Sequence, residues 1–405
     1  MTKKLLRAFL ISSWLMLPVI LHSPAAFGET PGAATSYLIT NDDNALGESN
    51  SSTFFAIANG ALSNPVLVNI GGIGSGGGYF TANRVNVLND PSSPCVFLSS
   101  GISNTIAGVQ ISTQTLTGNF PASSMDNGTD NGVGMVMNSK YLYASFSSSG
   151  TIATFAVQAE CELQFLSDIS PVGLNGGTVK GMALTSASSS SLSGDLLVVT
   201  YGDGSIQSFS VSGGVPVPNG DEQNATGFDT DNFPDGVDIT QDGHYAIFGD
   251  ASSTGVVEVS DISAGTLAPT VLYSLEREIG TGFNSNNVRL SPDGTLLYIT
   301  NNNSGQVMAA FFDPAKGTIS PGCISAQLNG FDSAFSYLSG AVTQQTRGTG
   351  SVLYVAEFGE PSAIAVIDVG VRGRRCTLNE AAGSPILDPN SLNLLSIGVY
   401  PPRPF

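Results

Sequence analysis

The chain is 405 residues long, carries 32 Asp+Glu against 14 Lys+Arg for a net charge of −18, and contains 48 Gly. That acidity argues against nucleic acid and anionic membrane surfaces as partners, since both need basic patches. Charged residues make up only 11% and hydrophobic residues 41%, which argues against a disordered chain and fits short strands joined by Gly/Asn/Asp/Ser turns.

The N-terminus reads as a targeting segment. Lys3, Lys4 and Arg7 form a positive region, Ala8 to Leu21 an apolar one, and Ala26-Phe27-Gly28 a small-residue cleavage site. Residues 1–28 are expected to be a signal peptide and residues 29–405 a single domain, exported to the periplasm or the extracellular space. Removal of residues 1–28 leaves 11 Lys+Arg against 32 Asp+Glu, a net charge of −21. No later segment is apolar for long enough to span a bilayer. A monomer is expected.

A motif of a hydrophobic run closed by a small or polar residue then recurs seven times. The copies are Tyr37-Leu38-Ile39-Thr40, Val96-Phe97-Leu98-Ser99, Leu142-Tyr143-Ala144-Ser145, Leu197-Val198-Val199-Thr200, Ala246-Ile247-Phe248-Gly249, Leu297-Tyr298-Ile299-Thr300 and Leu353-Tyr354-Val355-Ala356. Their second residues are spaced by 59, 46, 55, 49, 51 and 56 positions. A period near fifty in a strand-rich chain is one four-stranded sheet per repeat. The fold class is therefore all-β, a seven-bladed β-propeller.

The clearest repeat runs from Asn286 to Gly317. Asn287 to Ser291 is the inner strand and Pro292-Asp293-Gly294 a tight turn. Leu296 to Thr300 is the second strand, and Asn301 to Gly305 turns into the third, Gln306 to Phe312. Asp313-Pro314-Ala315-Lys316-Gly317 then leads to the outer strand. The chain enters at a second-type strand (Tyr37) and lacks its inner partner there. Asn393 to Tyr400 supplies it, so the C-terminal strand completes the first blade and closes the ring. Pro401, Pro402 and Pro404 cannot extend that strand.

Cys95, Cys161, Cys323 and Cys376 form an even set in an exported chain, which implies disulfides. Cys95 opens a second strand, Cys161 lies at a third-to-fourth-strand turn of the next blade, and Cys323 and Cys376 are placed at similar turns of the last two blades. The register favours Cys95–Cys161 and Cys323–Cys376. Buried, unpaired thiols are the other reading.

The blade pattern Ser291-Pro292-Asp293-Gly294, then Leu296 to Asn301, then Asp313-Pro314 with Gly317-Thr318-Ile319 resembles the lactonase family of seven-bladed propellers and the related YVTN-type repeat proteins. The likeness covers essentially all of the chain after residue 28. It implies the architecture, and a 6-phosphogluconolactonase-like hydrolysis of lactones as an activity to weigh. Relatives that hydrolyse sugar lactones commonly carry His at the inner-strand starts, with Arg and Glu nearby. Here those starts hold Asn, Gly, Lys, Asp and Ser, and the one His beyond residue 28, His244, falls on the opposite face.

Ligands of such a ring bind at the channel mouth. The inner-strand starts are Asn83-Arg84, Gly132 to Gly134, Lys180-Gly181, Asp235-Gly236, Asn286-Asn287 and Ser339-Gly340, with Asn86, Asp238 and Arg289 one step down. Arg84, Asn83, Asn86, Asn286 and Asn287 are candidates to bind a small anionic or sugar-like ligand. For hydrolysis, Asp238 or Asp235 would act as base and Arg289 or Lys180 would hold the oxyanion. A ring of residues that solvate the channel and pair with one another is the plainer reading.

Other chemistry is poorly signalled. A Ser–His–Asp triad would have to use His244, and no Gly-x-Ser-x-Gly elbow joins a strand to a helix. No metal site or cofactor is expected. Two acidic loops, Asp126 to Gly132 and Asp221 to Gly236, offer oxygen donors of the kind Ca²⁺ takes, but neither has the EF-hand spacing. Gly71 to Gly78 reads as a loop between blades, and Arg372, Arg374 and Arg375 as a solvated outer turn. Two functions stay open: a non-catalytic binding or scaffold propeller of the cell envelope, with a small ligand or an envelope protein as partner, and a lactone hydrolase.

Overall fold

The computed structural model describes residues 36–44, 49–75, 84–88, 90, 92–121, 133–146, 149–185, 195–225, 227–228, 234–250, 255–275, 287–301, 304–330, 337–347, 350–358, 362–391, 394 and 396–402. They form seven antiparallel sheets and one short 3₁₀ turn, Ala159–Cys161. The segment read as a signal peptide lies outside the described residues.

Each sheet is a blade whose strands follow the chain from the inside outward. Blade 2 runs Val85–Leu88, Cys95–Ser100, Thr105–Gln110 and Thr115–Pro121. Blade 3 runs Val133–Met137, Tyr141–Phe146, Ile152–Val157 and Leu163–Ile169. Blade 4 opens with Val179–Leu184, Leu196–Tyr201 and Ser205–Ser210, and two short strands then pair with the third. Blade 5 runs Pro234–Ile239, Tyr245–Asp250, Val256–Asp261 and Val271–Ser274. Blade 6 runs Asn287–Leu290, Leu296–Asn301, Gln306–Asp313 and Thr318–Ile324, with the turns expected of it. Blade 7 runs Tyr337–Arg347, Gly350–Phe358, Ala363–Arg372 and Arg375–Glu380, and Ile386–Leu387 pairs with its third strand.

Blade 1 is built from both ends of the sequence. Ser396–Tyr400 is its inner strand, and it pairs antiparallel with Tyr37–Asn41 in the register Tyr37↔Tyr400 to Asn41↔Ser396. Ser51–Ala58 and Ala61–Asn69 complete the blade. The ring thus closes through strand pairing, as the sequence implies.

All seven motif copies are second strands, and the packing explains why they are hydrophobic without interruption. A second strand has a neighbouring blade against each of its faces, so successive side chains serve two different cores. Leu38 packs with blade 7 residues such as Tyr354. The next residue, Ile39, packs with Val96 and Leu98 of blade 2. The same division places Leu142 with Phe97 of blade 2, and Tyr143 with Val199 of blade 4. Leu297 faces Ile247 of blade 5, and Tyr298 faces Leu353 of blade 7. The core is a set of wedges between blades. Outer strands have less to cover them and alternate, as in Thr115–Pro121.

The four cysteines form Cys95–Cys161 and Cys323–Cys376, joining blade 2 to blade 3 and blade 6 to blade 7. One expectation is corrected. Cys323 lies within the outer strand Thr318–Ile324, opposite Ala309, and Cys376 is the second residue of Arg375–Glu380. Neither lies in a turn. The outer strand carries Cys323 well past the Asp313–Gly317 turn to meet the neighbouring outer strand.

Candidate functional site

The meander puts two sets of connections on one face of the ring, here called upper: those from second to third strands, and those feeding each inner strand. The channel wall below it is made of the inner strands. Charge of both signs meets on this wall between blades 5 and 6. Asp238, on the inner strand of blade 5, has its Oδ1 3.7 Å from Arg289 Nη1 on the inner strand of blade 6. Asp238 is 5% exposed, whereas the Arg289 side chain keeps 39% of its surface open.

The Asp238 carboxylate is engaged by the backbone as well. Its Oδ2 accepts the Leu290 N–H at 2.8 Å, and its Oδ1 accepts the Ile239 N–H at 3.0 Å. Leu290 follows Arg289, so one carboxylate holds both the cation and the backbone of the next blade. Asn86 acts alike between blades 2 and 3, its Nδ2 donating to the Met135 carbonyl at 3.0 Å. These inner-strand side chains stitch adjacent blades, because inner strands share no sheet and their backbones cannot bond to one another directly.

The remaining candidates spread apart. Arg84 is 1% exposed and turns away from the channel surface to Asp43, with Nη1 2.6 Å from Asp43 Oδ2 and 2.5 Å from Ser75 Oγ. Its N–H donates to Ser396 Oγ at 3.1 Å, fixing blade 2 to the closing strand. The Lys180 stem lies over Gly202 in the upper loop of its own blade, where an added Cβ would stand 2.8 Å from Lys180 Cε. Asn287 is half-buried at the start of its strand, opposite Thr300. Asn83 and Asn286 lie outside the described residues, as does the side chain of Asp235. Asp126 to Gly132 and much of the second acidic loop do too. Among the described residues no group of three or more His, Cys, Asp or Glu could hold a metal ion.

His244 follows the turn between inner and second strands of blade 5, on the lower face, with its Nδ1 3.1 Å from Asp242 Oδ2. Arg372, Arg374 and Arg375 are exposed at the last hairpin of blade 7.

The upper face holds buried acids that sequence reasoning did not single out. Asp203 accepts N–H groups of Asn175, Gly177 and Ser205 at 2.7, 3.0 and 3.0 Å, so it shapes the loop feeding blade 4. Burial pushes its pKa up, but the Ser205 hydroxyl and these N–H donors outweigh that and hold it below the usual carboxylate range. Glu258 serves blade 5 in the same way through the Gly227 N–H. Glu357 lies one residue before the end of the second strand of blade 7, and among the described residues neither of its carboxylate oxygens is hydrogen-bonded. Burial, and then the nearby Glu380, push its pKa up to about 7. Asp42 and Asp388 lie fully buried where blade 1 meets the closing segment.

No family model matches the chain, and no curated protein matches it either. Solved structures do share its fold. A candidate 6-phosphogluconolactonase from Bacteroides fragilis superimposes with a TM-score of 0.64 at 13% identity, over 91% of this chain and 99% of that one. One from Bacteroides uniformis gives 0.61 at 13%, over 90% and 99%. A periplasmic gluconolactonase from Pseudomonas aeruginosa gives 0.59 at 14%, over 87% and 98%. At such identities the likeness establishes the seven-bladed, lactonase-like architecture and nothing finer. Among the described residues no helix is long and apolar enough to cross a membrane.

Proposed function

We propose that this chain is an exported propeller that works as a binding or scaffold module of the cell envelope, taking a small anionic or polyhydroxy ligand at the channel wall beside Arg289. The observation that carries this reading is the commitment of Asp238. Its oxygens already receive the Leu290 N–H, the Ile239 N–H and the Arg289 guanidinium. A general base must offer a lone pair to the proton it abstracts. Asp238 has these contacts and is only 5% exposed, which leaves it poorly placed to reach a substrate water. Arg289, positioned by that carboxylate and 39% open, is suited to receive an anionic group.

A second reading, lactone hydrolysis, draws on the names of the fold neighbours from Pseudomonas aeruginosa and the two Bacteroides species. In it Arg289 or Lys180 holds the oxyanion and Asp238 or Asp235 activates water. The departure of the Lys180 stem to Gly202 weakens it, while that of Arg84 to Asp43 leaves Arg289 as the cation of the binding reading.

Titration calorimetry of gluconate, 6-phosphogluconate and neutral sugars against the parent and Arg289→Ala tests the binding reading. Binding of the anionic compounds, reduced at least tenfold in the variant, supports it. Equal binding by both proteins would remove Arg289 from the site.

A further inference from the structure

We propose that Asp42 and Asp388 share one proton across the seam where the two ends of the chain close the ring, which makes this closure sensitive to pH. Asp42 lies in the loop after Tyr37–Asn41 of blade 1. Asp388 follows Ile386–Leu387 on the edge of blade 7, in the segment that leads to the closing strand. Both residues are 0% exposed.

The donors around them are too few for two charges. Asp42 Oδ2 accepts Ser51 Oγ at 2.6 Å, and Oδ1 takes the Thr40 hydroxyl. Thr53 Oγ1 stands 3.3 Å from Asp42 Oδ2 and 3.3 Å from Asp388 Oδ1, and its single proton cannot serve both. Asp388 Oδ1 also accepts the Asn390 N–H at 3.1 Å, while its Oδ2 has no donor among the described residues. Thr53 Oγ1, 3.3 Å from an oxygen of each, brings the two carboxyl groups next to each other. Two buried carboxyl groups side by side are held without repulsion only when one is protonated. The hydroxyls cluster on Asp42, so the charge belongs there and the proton on Asp388.

Among the described residues no cation pairs with either carboxyl. The loop of Asp42 also carries Asp43, but Arg84 neutralises that charge at 2.6 Å. The other groups facing the pair from blade 1 and the closing segment are Thr40, Ser51, Thr53 and Asn390, none of which titrates in this range. Neither Asp42 nor Asp388 forms an ion pair among the described residues. Bonds that stitch the seam lie next to them: Ser391 Oγ donates to the Asp42 carbonyl at 3.0 Å, and Asn44 Nδ2 to the Asn390 carbonyl at 3.0 Å.

Burial pushes both carboxyls up from the usual 3.8, and the neighbouring Asp42 charge adds to the shift of Asp388, which reaches about 7. A carboxyl whose pKa is raised by folding stabilises the fold fully below its unfolded pKa and loses that contribution as pH rises through the folded one. The seam is therefore tight in acid and weakens towards and above neutrality, when two buried carboxylates are left to repel.

The test uses the full chain beyond residue 28 carrying Glu357→Gln, which removes the other strongly raised carboxyl. Urea midpoints are measured from about pH 5 to about pH 8, across the window that linkage defines. The midpoint is expected to fall in this parent and to stay level when Asp388→Asn is added. An equal fall in both overturns the proposal. So does a rise in the parent midpoint with millimolar Ca²⁺ at the higher pH that Asp388→Asn abolishes, which would make the pair a cation site. If Asp388→Asn does not fold, the infrared spectrum of the parent decides. A buried protonated-carboxyl band that disappears on raising the pH supports the shared proton, and its absence at low pH overturns it.

Discussion

The Asp238 carboxylate crosses the seam between blades 5 and 6 to accept the Leu290 N–H at 2.8 Å. This contact joins two inner strands that share no sheet, and it orients Arg289, the residue before Leu290, towards the same carboxylate at 3.7 Å. One side chain thus ties two blades and positions the cation that the proposed binding function uses. The channel wall is held by polar residues of this kind, and the Arg289 side chain keeps 39% of its surface open.

Replacing Asp238 should separate the two roles. Asp238→Ala leaves the Leu290 N–H buried without this acceptor, a loss of about 1–3 kcal/mol. Arg289→Ala removes a half-open cation and should cost no more than about 1 kcal/mol. Urea unfolding of both variants checks the contrast, which fails if Arg289→Ala is the more destabilising.

Glu357 is an opportunity for stabilisation. Burial and the proximity of Glu380 raise its pKa from 4.5 to about 7. Folding stability is thus fully supported below the unfolded value and is lost as pH climbs through the folded one. Glu357→Gln should raise the unfolding midpoint at slightly alkaline pH and change little in mild acid. Midpoints at the two pH values measure the effect, and a uniform loss at both would contradict it.

The disulfides should matter by a similar amount each. Cys95–Cys161 spans 66 residues of sequence and Cys323–Cys376 spans 53. Chain-entropy arguments give about 4 kcal/mol for closing loops of this size. The double variants Cys95→Ser/Cys161→Ser and Cys323→Ser/Cys376→Ser should each lower the urea midpoint accordingly. No change in either would show that the reduced ring retains its unfolded-state constraint elsewhere.

Gly108 should tolerate no side chain. A Cβ there would stand 2.0 Å from the Cys161 carbonyl oxygen, which is backbone held by the neighbouring disulfide. Gly108→Ala has to push blade 3 away from blade 2, at a cost of about 1–3 kcal/mol. Thermal unfolding checks this, and an unchanged midpoint would contradict the close approach.

The architecture was legible because its causes are local. Each second strand has to satisfy two cores, so Leu38-Ile39 or Leu297-Tyr298 reads as an unbroken apolar run. The missing inner strand next to Tyr37 likewise pointed to residues near Tyr400. The polar ties were not legible in the same way. Asp43 and Arg84 lie 41 residues apart, and Thr53 and Asp388 lie 335 apart. No periodicity links them, since the members of each pair come from different blades and meet only when those blades pack together. Arg84 and Lys180 read as channel-mouth cations beside Arg289 because they begin inner strands and Arg289 lies one step down its own. Side-chain direction then sent Arg84 to Asp43 and the Lys180 stem over Gly202. The signal that pointed to Asp238 was its place one step down an inner strand. That place makes it a tie between blades, a role that charge alone does not distinguish from a catalytic one.

The most direct measurement is pH-stat titration of the purified protein beyond residue 28 against a panel of lactones that includes 6-phosphogluconolactone, beside Asp238→Asn and Arg289→Ala. A binding propeller whose Asp238 is committed to Leu290 is predicted to release acid no faster than the spontaneous rate with every substrate. Acid release above that rate, abolished in both variants, would contradict the account and establish a hydrolase at the seam of blades 5 and 6.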